Sequence, residues 1–169
     1  MITASPHGPI SSYLPHRPPM LFIDDILEVT DQHFVCRATI HDDCVFAIDG
    51  LVHPTAMIEF AAQACAAGVG VLAAREGNPP KLGVIIGCRE IELVAETFAV
   101  GDVLTISANK AFGQTHVAAF ACTVVRAGLV CATIHMSVTE LPSHSLANTE
   151  LPRGSGQSAM VAGPDRGEP

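Results

Sequence analysis

The chain has 169 residues, of which 49% are hydrophobic and only 15% are charged. This length allows one domain, and so apolar a composition excludes a disordered chain, because disorder requires low hydrophobicity and high net charge. Acidic residues outnumber basic residues 17 to 9, which gives a formal net charge of −8. Phosphate contacts need clustered Lys and Arg, so we expect no nucleic-acid partner.

The distribution of proline predicts the domain boundaries. Prolines concentrate in residues 1–20 and 141–169, and only Pro54, Pro79 and Pro80 lie between these regions. We therefore expect a flexible N-terminus over 1–7, one domain over 8–140 and a disordered tail rich in Pro, Gly and Ser over 141–169. The six cysteines include no CxxC pair, and the N-terminus lacks the features of a signal peptide. Both observations predict a reduced, cytoplasmic protein.

Alternating apolar residues predict strands over 20–30 and 33–40, followed by a loop over 41–53. A long helix is then expected from Pro54 to Glu76, because proline is favoured at a first helical position and Gly77–Pro80 is a strong stop signal. Four further strands are predicted over 82–95, 102–112, 115–126 and 129–139. The short turns between the last three strands imply antiparallel pairing.

The predicted helix is apolar on all sides, so it must be covered on most of them. The flanking strands are the available cover, which predicts an α+β hot-dog fold: a long central helix wrapped by a curled antiparallel sheet of five to six strands. Such a sheet has open edges, so we expect a homodimer or a heterodimer with another hot-dog subunit. The helix is rich in alanine and carries Glu59 and Gln63, which favours a core helix over a membrane span.

Glu59 and Gln63 are spaced i,i+4 and therefore share one face of this helix. Apolar neighbours desolvate a carboxylate and favour its protonated form, which suits a general acid. The alternative is a structural role, in which Glu59 stabilises the helix N-terminus and hydrogen-bonds Gln63. Among the eight histidines we single out His16 and His53, and none has metal-ligand spacing. We find no nucleotide or cofactor motif, so neither a metal nor a cofactor is expected.

Three segments resemble the 3-hydroxyacyl-acyl-carrier-protein dehydratases of type II fatty acid synthesis. Leu14–Asp24 resembles their LPHR-x-P-x-L-L-x-D opening, Ile58–Gln63 is similar to their L-E-x-x-A-Q helix motif, and Val100–Asp102 matches their P-G-D turn. The resemblance covers residues 13–140. The Gly83–Arg89 segment looks closer to a branch found in aryl-polyene and related pigment clusters.

This resemblance implies dehydration of 3-hydroxyacyl thioesters linked to acyl carrier protein, in fatty acid, polyketide or aryl-polyene synthesis. It implies that Glu59 assists departure of the hydroxyl group and that Gln63 contributes to substrate binding. Backbone N–H groups of Thr55, Ala56 and Met57 are expected to polarise the thioester carbonyl. Since carrier proteins are acidic, we expect docking through the basic residues Arg75, Lys81 and Arg89.

One departure from the family pattern leaves the catalytic base open. The dehydratases carry a histidine in a G-H-F-P motif fourteen residues before the helix glutamate, and Val45 occupies that position here. His16, whose motif is intact, is the first substitute we predict, and His53 is the second. Two alternative functions remain: a hot-dog thioesterase, which needs no histidine, and a non-catalytic or half-site subunit of a heteromeric dehydratase.

Overall fold

The computed structural model describes residues 7–114 and 116–141 of the chain. The predicted flexible N-terminus over 1–7 and disordered tail over 141–169 lie almost entirely outside the described residues. Within the described part, one long helix and nine strands are present. In chain order, the strands and the helix are β1 (Asp25–Val29), β2 (His33–Thr39), β3 (Ala47–Ile48), β4 (Leu51–Val52), α1 (Met57–Arg75), β5 (Gly83–Leu93), β6 (Phe98–Ala99), β7 (Val103–Gln114), β8 (Val117–Arg126) and β9 (Leu129–Glu140).

Six of the strands form one antiparallel sheet in the order β1-β2-β7-β8-β9-β5. These are the six strands that the sequence predicts. Helix α1 packs against β1, β2, β7, β8 and β9, and a 3-10 turn over Pro54–Ala56 precedes it. The helix and the inner sheet face bury a continuous apolar core. The prediction of an α+β hot-dog fold with a central helix is confirmed.

Two details differ from the predicted elements. The region expected as a loop contains β3 and β4, which pair with β6 in a second, three-stranded sheet. A strand of two residues is too short for an alternation of apolar and polar side chains to be recognised, so the sequence pattern could not reveal these strands. Strand β1 also begins at Asp25 rather than near Met20, because the backbone at Met20 and Phe22 bonds to the side chain of Gln63.

Two glycines allow α1 to approach its neighbours closely. A Cβ atom at Gly68 would lie 2.1 Å from the ring of Phe34 in β2, and one at Gly70 would lie 2.2 Å from the carbonyl oxygen of Tyr13. Any side chain at either position would force the helix or its neighbour to move. The glycines therefore set the distance between α1, the sheet and the segment that leads to His16.

Within the described residues, Pro54–Arg75 is the one helical stretch long and apolar enough to cross a membrane, with a mean hydropathy of 1.6. Of its most apolar 18 residues, 61% are buried inside the domain. The core helices of soluble proteins are commonly as long and as apolar as this one. The packing against the sheet favours a core helix. One stripe of α1 remains partly exposed in the single chain, and it consists of Ile58, Ala62, Ala66 and Val69.

The first half of strand β5 is an apolar edge of the large sheet. It pairs with β9 on one side only, and the three consecutive residues Val84, Ile85 and Ile86 are 38%, 37% and 55% exposed. Consecutive residues of a strand point to opposite faces, so apolar side chains are exposed on both faces of this edge. An exposed, long apolar edge is a template for pairing with another chain.

Candidate active site

Glu59 and Gln63 lie on one face of the first turns of α1, as their spacing predicts. Gln63 is 1% exposed, and its side-chain Nε2 donates to Glu59 Oε1 at 2.8 Å and to the backbone oxygen of Met20 at 2.8 Å. Its Oε1 accepts from Phe22 N at 2.9 Å. Because a backbone N–H only donates, this bond fixes the orientation of the amide and directs its NH₂ group towards Glu59. Gln63 thus positions Glu59 rather than lining an open surface.

The side chain of Glu59 retains 32% of its accessible surface in the single chain. The burial among apolar residues expected from the sequence is therefore only partial. Oε1 is held by Gln63, whereas Oε2 has no partner among the residues that the structure describes. The carboxylate is anchored on one oxygen and available on the other.

His16 lies beside Glu59, and the structure brings together the two residues that the sequence placed in separate motifs. Its Nε2 is 3.9 Å from Glu59 Oε1, which is longer than a hydrogen bond. Its Nδ1 is buried and has no hydrogen-bond partner in the described structure. The neighbouring Arg17 guanidinium donates to the carbonyl oxygens of Leu14 and His16, which fixes the backbone of this segment.

His53 caps the start of the helix. Its Nδ1 accepts from Thr55 N at 3.4 Å and lies 2.9 Å from the Thr55 hydroxyl oxygen. The sequence placed His53 six residues from Glu59 and hence on another face of a continuous helix. In the structure His53 is not part of the helix, because it precedes the 3-10 turn and has an extended backbone. Helical spacing therefore does not separate it from Glu59.

An open cavity of about 260 Å³ lies at this end of the helix. It is lined by Phe46, His53, Thr55, Ala56, Ile58 and Glu59. Of the predicted site residues, His53, Thr55, Ala56 and Glu59 meet at this cavity, whereas Gln63 supports it from behind. Met57 is fully buried and does not line it.

The predicted oxyanion donors are already engaged. Thr55 N donates to His53 Nδ1, Ala56 N donates to His53 O at 3.0 Å, and Met57 N donates to Pro54 O. The tight 3-10 turn before α1 satisfies these groups within the chain. In this conformation the N–H groups expected to polarise a thioester carbonyl already have hydrogen-bond partners within the chain.

Phe46 is a cavity residue that the motif analysis did not identify. Its ring stacks on Phe22 at a centroid distance of 5.1 Å, and Phe22 stacks on Phe60 at 4.8 Å. This column joins the cavity wall to the core of α1. The sequence feature that could have indicated Phe46 is its position next to Val45, where the chain differs from the dehydratase motif.

None of the three predicted docking residues lines the cavity. Arg75 is sixteen residues beyond Glu59 on the same helix, a separation of about 24 Å at the helical rise per residue. Lys81 forms an ion pair with Glu140 at 2.7 Å, and Arg89 is exposed on β5.

A long apolar helix against a six-stranded antiparallel sheet, with an anchored carboxylate near the helix start, defines this chain as a hot-dog protein. The family model of the ApeP-like proteins, described as ApeP dehydratase, matches residues 8–149. The chain belongs to the ApeP-like dehydratase family. The resemblance to the aryl-polyene branch of hot-dog dehydratases is thereby confirmed.

Solved structures support the same placement. The dehydratase heterocomplex ApeI:P from Xenorhabdus doucetiae matches with a TM-score of 0.77 and 26% identity, covering 82% of this chain and 95% of that one. A hypothetical thioesterase with coenzyme A from Streptococcus pneumoniae TIGR4 has a TM-score of 0.54 at 15% identity, covering 69% and 84%. PaaI from the phenylacetic acid degradation operon of E. coli has a TM-score of 0.53 at 16% identity, covering 68% and 81%. The last two show the fold alone. Among curated proteins, no sequence matches this chain.

Proposed function

We propose that this chain dehydrates 3-hydroxyacyl thioesters carried on acyl carrier protein, in a synthesis of the fatty acid, polyketide or aryl-polyene type. The observation that carries the proposal is Glu59, which lines the cavity and whose Oε1 is anchored by Gln63. Elimination of water needs a group that moves protons at C2 and C3 of the acyl chain. Membership of a dehydratase family supports this chemistry over the others that a hot-dog fold can host.

We further propose that the chain works as one subunit of a hot-dog pair in the cytoplasm. The cavity is open in the single chain, the β5 edge exposes apolar residues on both faces, and the α1 stripe is only partly covered. A related subunit that paired at residues Val84–Ile86 of β5 would cover this apolar edge. The similar structure from Xenorhabdus doucetiae is described as a heterocomplex, which supports a partner that is a second type of hot-dog chain.

For carrier-protein docking, we favour Arg89 of the predicted three, which lies in the second half of β5, beyond the apolar segment Val84–Ile86 that we expect to pair with a second subunit. It is exposed and has no ion pair in the described structure, whereas the ammonium group of Lys81 is occupied by Glu140 and Arg75 lies at the far end of α1. Arg89→Glu should raise KM for the carrier-linked substrate and leave KM for a short pantetheine thioester unchanged. Equal KM effects on both substrates would contradict docking at Arg89.

The function is tested with Glu59→Gln, assayed alone and with a co-expressed hot-dog subunit on 3-hydroxyacyl carrier protein. Mass spectrometry of the carrier protein follows the loss of water. We expect a rate reduced at least about 100-fold, the usual contribution of a positioned acid–base group. Glu76→Gln, an exposed carboxylate at the end of the same helix, serves as the matched control and should be fully active.

The same assay decides between the proposed reaction and its alternatives. Release of a free carrier-protein thiol without loss of water would identify a thioesterase. Unchanged dehydration by a complex that contains Glu59→Gln would identify a non-catalytic subunit. Either result would overturn the proposed function.

A further inference from the structure

The hydrogen bonds around His53 determine which ring nitrogen carries the proton. Thr55 N donates to Nδ1, and a backbone N–H has no acceptor capacity, so Nδ1 contributes its lone pair. The Thr55 hydroxyl, 2.9 Å from the same nitrogen, is then a second donor. A neutral imidazole carries one proton, which in this arrangement lies on Nε2. The free nitrogen of His53 is therefore a hydrogen-bond donor with no lone pair for proton abstraction.

His16 is restricted in a similar way. Its Nδ1 is buried without a partner in the described structure, so a proton on that atom would be a buried unsatisfied donor. The neutral ring is better accommodated with its proton on Nε2, the atom that lies 3.9 Å from Glu59 Oε1. His16 thus presents a donor to the carboxylate. Neither histidine offers a free lone pair towards Glu59.

Glu59 has the complementary property. Gln63 donates to Oε1, and Oε2 is free of partners in the described part of the chain. Because Glu59 and His53 both line the cavity, an acceptor oxygen and a donor N–H share the same space. The backbone N–H groups of residues 55–57 are already engaged, so the His53 ring is the available neutral donor at this wall.

We propose that Glu59 is the catalytic base of this chain and that His53 is the hydrogen-bond donor to the thioester carbonyl, the reverse of the carboxylic-acid role expected for Glu59 from the sequence. This assignment rests on the proposed function. Glu59 Oε2 takes the proton from C2, and the electrons of the C2–H bond move into an enolate whose oxygen accepts from His53 Nε2–H. The enolate then forms the C2=C3 double bond and breaks the C3–O bond. The departing hydroxyl takes the proton back from Glu59 and leaves as water.

The assignment is tested by comparing His53→Gln with His53→Ala in the full chain, assayed with the co-expressed hot-dog subunit. A glutamine amide donates a hydrogen bond but cannot abstract a proton, so a donor role predicts that His53→Gln stays within about 10-fold of wild type. Loss of an oxyanion donor in His53→Ala should lower kcat by about 100-fold or more. Equal inactivity of both variants, each with a wild-type melting temperature, would overturn the donor role.

Deuterium exchange separates proton abstraction from the loss of water. A saturated acyl thioester that lacks the 3-hydroxyl cannot eliminate, but its C2 hydrogen exchanges with D₂O if a base removes it. NMR should show exchange with wild type and His53→Gln and none with Glu59→Gln. Exchange by Glu59→Gln that disappears in His53→Gln would assign the base to His53 and overturn the proposal.

Thr55 provides a test that leaves both reacting groups in place. Thr55→Val removes the hydroxyl donor to Nδ1 and should lower kcat several-fold with little change in KM, whereas Thr55→Ser should restore the rate. A Thr55→Val enzyme with unchanged kcat would contradict the contribution of this hydroxyl to holding the His53 ring. If wild type itself neither dehydrates nor exchanges, the proposed function fails. If wild type dehydrates but the variants show the opposite pattern, only this assignment fails.

Discussion

The side chain of Gln63 contributes both to the stability of the fold and to the candidate site. Its amide satisfies Phe22 N, Met20 O and Glu59 Oε1 in a buried position. Gln63→Leu has a similar volume but leaves the two backbone groups unpaired, so we expect a loss of about 1–3 kcal/mol in the free energy of unfolding. Urea denaturation measures it, and Gln32→Leu, at an exposed position, is the matched control and should unfold like wild type.

His41 predicts a small pH dependence of stability. A hydrogen bond to Asp24 raises the pKa of His41 above its ordinary value of 6.5, with further contributions from the charges of Asp24, Asp43 and Asp42. A raised folded-state pKa means that the stabilisation is complete below 6.5 and is lost as pH rises through the folded-state value.

The expected size of this effect is about 0.5 kcal/mol or less, because His41 is mostly exposed and surface pairs are screened by solvent. The stability difference between wild type and His41→Asn should therefore shrink between pH 5.5 and pH 8.5. Urea midpoints at the two pH values measure it. A difference that grows with pH would contradict the pairing with Asp24.

The sequence predicts the Glu59–Gln63 pair well, because i,i+4 spacing on a helix determines a shared face. It identifies His16 through its motif, and the structure places that ring beside Glu59. The state of His53 could not be predicted, since it depends on a contact with Thr55 in a 3-10 turn. The same turn consumes the backbone donors that a regular helix start would leave free.

At Gly68 of α1, helix propensity and side-chain packing predict opposite effects of a substitution by alanine. Alanine is the better helix former by about 1 kcal/mol, so propensity alone predicts that Gly68→Ala stabilises the protein. The added Cβ would lie 2.1 Å from the ring of Phe34, and this ring is fully buried and unable to withdraw freely. We expect packing to dominate and the variant to lose about 1–3 kcal/mol.

Thermal denaturation tests this balance. Gly87→Ala in β5 is the control, because a Cβ there would have nothing within 4 Å. We expect its melting temperature to equal or slightly exceed that of wild type. A stabilised Gly68→Ala would show that the helix shifts easily and that its distance from β2 is not fixed by this glycine.

The strands illustrate which elements a sequence pattern can reveal. The six long strands follow alternating apolar residues and clear turn signals such as Ala127-Gly128, both of which have positive φ. The pairs β3–β4 and β4–β6 involve only two residues in each strand. Their existence depends on tertiary contacts around Phe98 and Val52, which are fully buried, rather than on local periodicity.

For the whole molecule, the β5 edge predicts how subunits associate. Ile86 is 55% exposed on this edge, and a charge there should prevent apolar pairing with a second chain. We expect Ile86→Lys to stay folded but to run as a monomer in sedimentation experiments, alone and with a co-expressed subunit. Leu129→Lys introduces the same charge at a 71% exposed residue at the start of β9 and should not alter association. Equal disruption by both variants would argue against β5 as the interface.

The bond from Phe22 N to Gln63 Oε1 also provides a spectroscopic reporter. Phe22 lies outside the strands, so its amide hydrogen bonds to this side chain and not to a neighbouring strand. Slow exchange of that hydrogen would report an intact Gln63 amide, and hence an anchored Glu59, in the absence of any substrate. A variant or condition that releases the carboxylate should be visible as faster exchange at Phe22 before any activity is measured. The anchoring of Glu59 can thus be followed in the substrate-free protein through the exchange rate of one amide hydrogen.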